Sequence, residues 1–128
     1  MYNVVLDTNI LVSALWSVNS NPSVVVEKVI MNEIVPYFDT EIVDEYYEVL
    51  LRAKLGFHKE MVSGLLSEIM KNGVFAESVV SDVIFTDESD RKFYDLAKTN
   101  DAFLITGNLK HYPKEPFIVS PLAFLQKF

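Results

Sequence analysis

Short apolar runs, "NVVL", "EIVPYF", "AFLIT" and "FIV", are interleaved with longer segments in which apolar residues recur at spacings of three and four. Runs this short suit strands, and the longer periodic segments suit helices. Strands that alternate with helices are joined by crossovers, which favours parallel pairing. The pattern therefore predicts an α/β sandwich around a largely parallel sheet. At 128 residues, with no internal repeat and no Gly/Ser linker, the chain reads as one domain over 1–128.

The pattern predicts helices over 8–16 and 23–31, with Pro22 in the first turn of the second. Pro36 confines the strand over 33–38 to an edge or to a strand end. Residues 40–54 show a helical face of Ile42, Tyr46, Val49 and Ala53, and 58–72 one of Met61, Leu65, Leu66, Ile69 and Met70, with Gly73 as a stop. The stretch 73–85 is strand-like in parts, with its register open. Residues 86–100 read as a helix with Asp87 as N-cap and Phe93, Leu96 and Ala97 facing inward. Ser120 and Pro121 suit the N-cap and first position of a terminal helix.

Composition removes several chemistries. The absence of cysteine excludes disulfides, thiolate zinc sites and cysteine nucleophiles, and two histidines, His58 and His111, are too few for a His-rich metal centre. A metal here would be a hard, oxygen-bound ion. A net charge of -7 argues against holding nucleic acid through a general basic surface. No apolar run approaches the roughly 20 residues that span a bilayer. "MYNVVLD" meets its acid too early for a secretory leader, so a cytoplasmic protein without membrane contact is expected.

The acids then carry the chemistry. Asp7 follows the first strand, Asn108 follows the "AFLIT" strand, and Asp90 lies in the first turn of the helix leading into that strand. In an open parallel sheet, ligands bind beyond the carboxyl ends of the strands, so these residues meet at one rim if the two strands are neighbours. On the third helix Asp44 and Glu45 flank opposite edges of the apolar arc, and the helical wheel does not choose between them. Taken singly, each acid has a plainer role. Asp7 and Asp87 suit N-caps, Asp90 suits the positive end of a helix, and Glu45 suits a solvated helix face.

Together, "VVLDTNILVSAL", "IVDEYYEVL", "DESDRKFYDLA" and "FLITGNLKHYP" resemble the four acidic motifs of the PIN domain family, in order and over nearly the whole chain. The resemblance is closest to the bacterial VapC-like PIN proteins, toxin components of toxin–antitoxin systems. It implies a three-layer α/β/α sandwich and a Mg2+- or Mn2+-dependent endoribonuclease. Motif by motif it makes Asp7, Glu45 and Asp90 metal ligands and catalytic residues, with Thr8 and Asn9 holding the orientation of Asp7 and Thr106 in support. Asn108 stands where many relatives have aspartate. It keeps a neutral oxygen but loses a charge, so one ion is expected and a second site is weakened, with Asp87 or Asp101 available to assist.

Arg91, Lys92 and Lys110 are placed to meet RNA phosphates, with His111 beside them, and Tyr112 or Trp16 to stack on bases of a single strand or loop. The partners implied are RNA, an antitoxin protein and a second copy in a homodimer. Two functional classes follow: a metal-dependent ribonuclease, or a PIN-like binding module in which Asn108 marks lost catalysis.

Overall fold

The computed structural model describes residues Met1–Phe128. Five strands, β1 (Asn3–Leu6), β2 (Val35–Phe38), β3 (Val74–Phe75), β4 (Phe103–Ile105) and β5 (Ile118–Val119), form one all-parallel sheet in the order β3-β2-β1-β4-β5. Six helices cover it: α1 (Thr8–Trp16), α2 (Asn21–Ile30), α3 (Thr40–Leu50), α4 (Lys59–Lys71), α5 (Arg91–Thr99) and α6 (Pro121–Leu125). The result is the three-layer α/β/α sandwich expected. β1 is central and apolar throughout, with Val4, Val5 and Leu6 buried, as a strand covered on both faces must be.

The chain runs outward from β1 through β2 to β3, then returns through α5 to lay β4 against the other side of β1, pairing Leu6 with Ile105. The direction of winding reverses between β1 and β4. A crevice opens beyond the carboxyl ends of strands at such a reversal.

Three readings left open take definite form. β2 is an inner strand, paired with both β1 and β3, although it carries Pro36. The N–H of Val35 bonds β1 and pairing with β3 begins only at Tyr37, so the donor that Pro36 lacks lies ahead of the β3 ladder. Gly73 follows an Asn72 cap in ordinary conformation; its job is close approach, because a Cβ there would run into the Pro36 carbonyl and sit 2.5 Å from the Phe38 ring. The 73–85 stretch supplies only the two residues of β3, and beyond them Val79, Val80 and Ile84 are exposed.

The helices are shorter or turned relative to their patterns. α3 stops at Leu50 and buries Ile42, Tyr46 and Leu50, while Ala53 falls in a separate 3-10 turn (Ala53–Leu55). α4 buries Val62, Leu66 and Ile69, leaving Met61 exposed. Ser20 caps α2 and Ser120 caps α6 through their hydroxyls, each with a proline in the first turn. No helix is long and apolar enough to cross a membrane.

Candidate active site

Asp7 ends β1 at the reversal point, and its backbone N–H bonds the Ile105 carbonyl. The side chain does not cap α1. It is buried, and its Oδ2 accepts from the Thr106 hydroxyl at 2.7 Å and the Tyr112 phenol at 3.0 Å. With both side-chain bonds on Oδ2, Oδ1 is the oxygen with no side-chain donor. Burial raises the Asp7 pKa, the two hydrogen bonds pull it back, and the charge of Glu45 adds to the rise. Thr106 also accepts the Asn108 N–H at 2.9 Å, so one hydroxyl fixes both the acid and the loop after β4.

α3 resolves the choice between Asp44 and Glu45. Asp44 is exposed, whereas Glu45 turns inward, accepting from the Thr8 hydroxyl at Oε2 and pairing with Lys92 at 2.7 Å through Oε1. The next residue on α3, buried Tyr46, donates to the Leu6 carbonyl at 2.6 Å, anchoring the helix to the end of β1 just before Asp7. Burial, followed by the charge of Asp7, raises the Tyr46 pKa well above its ordinary value.

Asp90 closes a 3-10 turn (Glu88–Asp90) ahead of α5, where it caps nothing. Burial raises its pKa to about 6, with the charges of Asp7, Asp87 and Glu45 adding to the rise and His111 opposing them. The His111 imidazole stands 3.6 Å from its Oδ2. Asp7, Glu45 and Asp90 therefore lie in one electrostatic field. No three His, Asp or Glu side chains converge closely enough to form a ready-made metal-ligand set. Both Glu45 oxygens are already engaged, by Thr8 and Lys92.

Several supporting residues act differently from expectation. The Thr8 hydroxyl bonds Glu45 while its backbone N–H faces the Asp7 carboxylate, and Asn9 accepts the Gly107 N–H at 3.2 Å; the side chains that fix Asp7 are Thr106 and Tyr112. Tyr112 is buried and is therefore no platform for bases, whereas Trp16 is exposed beside Phe57. Asp87 accepts from the N–H and hydroxyl of Ser89, which lowers its pKa, and it acts as the cap of the 3-10 turn. Asp101 lies just before β4, at the opposite end of the sheet from Asp7, and cannot assist there.

Of the three cations expected at phosphates, Arg91 is spent elsewhere. It pairs with Glu88 at 2.7 Å, donates to the Ser81 carbonyl at 2.8 Å and to the Val83 carbonyl, and lies over the Phe85 ring. It thereby fastens the irregular 76–85 segment to α5. Lys92 holds Glu45 and the Ser89 carbonyl. Lys110, beside the exposed Asn108, remains free in the 3-10 turn Leu109–His111. The Tyr112 contact had no periodic signal in the sequence; only its place just after the fourth motif hinted at the site.

The chain is a doubly wound parallel α/β protein with a carboxylate fixed at the reversal point of its sheet and two more in its field. A PIN domain family model matches residues 3–110, which covers most of the chain, and the chain belongs to that family. The match ends before β5 and α6, which extend the same sheet and sandwich. PIN domains are generally nucleases that use divalent metals. The comparison with curated proteins gave no match.

Proposed function

We propose that the protein is a divalent-cation-dependent endoribonuclease that hydrolyses RNA phosphodiester bonds, and that it serves as the toxin of a toxin–antitoxin pair in the cytoplasm. The observation that carries this reading is Asp7, buried at the β1/β4 reversal and fixed through one oxygen, with Asp90 and Glu45 in its field. Acids brought together repel, and that cost is recovered when a cation neutralises them. All donors are carboxylate oxygens, which fits Mg2+ or Mn2+. Asp7 and Asp90 are the direct ligands best placed to hold one ion with waters, as Mg2+ is commonly held, and Glu45 contributes from its pair with Lys92.

When bound, such an ion polarises a phosphate oxygen and lowers the pKa of a coordinated water. The chain's own residues do the rest. Thr106 and Tyr112 fix the carboxylate of Asp7, Lys92 keeps Glu45 at the rim, and Lys110 offers a cation to the RNA backbone. Asn108 supplies a neutral oxygen beside the rim, which weakens a second ion site. The exposed, uncharged Asn108 also supports the second reading, a PIN-fold binding module without catalysis. A homodimer and an antitoxin partner belong to the first reading.

The test is cleavage of a mixed single-stranded RNA pool by the wild type and by Asp7→Asn, in Mn2+ and in EDTA. Cleavage by the wild type in Mn2+ alone supports the nuclease. RNA that stays intact in every arm refutes it and leaves the binding module.

A further inference from the structure

Asp95 is a charged residue that the site above does not use. It lies on α5, is only 3 % exposed, and its Oδ1 is shut off from water without any hydrogen-bond partner. No Lys or Arg forms an ion pair with it. A buried acceptor left unpaired costs stability, and the carboxylate's other oxygen, Oδ2, is equally without a hydrogen-bond partner but not sealed, so it is the one that a donor from outside can reach. Asp95 lines a pocket of about 310 Å³ that it shares with Asp39, Glu41, Glu88, Arg91 and Lys92.

The charges in that pocket do not cancel. Glu88 is matched by Arg91, and Lys92 is drawn to Glu45 of the neighbouring cleft. Asp39 spends one oxygen on the Ile42 N–H, exposed Glu41 is unpaired, and Asp95 makes no direct ion pair, feeling Arg91 and Lys98 only at longer range, so the acids of the pocket outnumber its cations. An RNA phosphate is repelled from such a place. A bare metal ion is a poor occupant of so large a space.

We infer that this pocket receives an arginine guanidinium presented by a basic protein partner, with Asp95 as its buried acceptor. A guanidinium is planar, carries several donors in a fixed fork, and is shed by water more readily than an ammonium, which suits a carboxylate at the base of a pocket. The chain's net charge of -7 favours a basic partner. Because Lys92 borders both the pocket and the cleft of Glu45, a partner seated here stands beside the candidate active site.

The test is an amide NMR titration of the full chain with N-acetyl-argininamide, with N-acetyl-citrullinamide as the neutral isostere and a short single-stranded RNA as a third probe. The expected result is saturable shifts at Ser78, Val80 and Ser89 with the arginine compound and none there with citrulline or RNA. Asp95→Asn should weaken the binding about tenfold, and Glu41→Gln, an exposed change that leaves the core intact, by about threefold. Shifts centred on Gly107 and Asn108, equal binding by both variants, no shifts at all, or the same shifts with RNA would each overturn the assignment. The readout needs no cleavage, so its failure and the failure of the nuclease reading are separate results.

Discussion

Asp90→Asn should make the metal-free protein more stable at neutral pH. The Asp90 pKa lies near 6 in the fold against 3.8 in a free carboxyl, chiefly through burial and then through the charge of Asp7. An acid with a raised folded-state pKa binds its proton more tightly when folded, so ionising it favours unfolding. The cost is absent below pH 3.8, grows as pH rises, and is complete above about 6. At face value it reaches at most about 3 kcal/mol at pH 7. Water at the mouth of the cleft screens these charges, and the loss of the His111 contact offsets part of the gain, which leaves roughly 1 kcal/mol, or about 4 °C in Tm. Urea denaturation in EDTA at pH 7.5 and pH 4 should show the variant more stable at the higher pH and nearly equal at the lower. A variant less stable at pH 7.5, or an advantage independent of pH, would refute the view that the fold holds Asp90 at a raised pKa.

Tyr112→Phe removes one of the two donors on Asp7, so it should cost roughly 1–2 kcal/mol in urea denaturation and lower the initial rate of RNA cleavage at pH 7. Asn108→Asp adds a charge at the exposed rim and should raise Mn2+ affinity about tenfold by calorimetry; an unchanged affinity would mean that position 108 does not face the ion. Gly73→Ala should cost about 1–3 kcal/mol in a thermal melt followed by circular dichroism, because the added methyl meets the Pro36 carbonyl of β2 and the ring of Phe38, which is buried and has little room to move.

The strands and helices were legible because burial imposes its period on the sequence: Val4, Val5 and Leu6 read as a buried strand, and Phe93, Leu96 and Ala97 as an inward helix face, as they are. Strand order was not, since no local pattern states that β1 and β4 are neighbours, and the meeting of Asp7 with Thr106 depends on that pairing. Pro36 was legible only as an edge or a strand end; the strand-end alternative holds, because pairing with β3 begins at Tyr37 and no hydrogen bond was due from position 36 there. The wheel left Asp44 and Glu45 equal because Lys92 and Thr8, which draw Glu45 inward, come from elsewhere in the chain. For the same reason Arg91 looked free: its partners Ser81 and Val83 lie in a segment with no periodicity.

Mn2+ binding by calorimetry, on the wild type and on Asp90→Asn, tests the central claim most directly. The account predicts one bound ion for the wild type and loss of that binding in the variant, since the proposed site holds the ion through Asp7 and Asp90. A wild type that binds no Mn2+, or a variant that binds it as well, would contradict a cation site built on these acids.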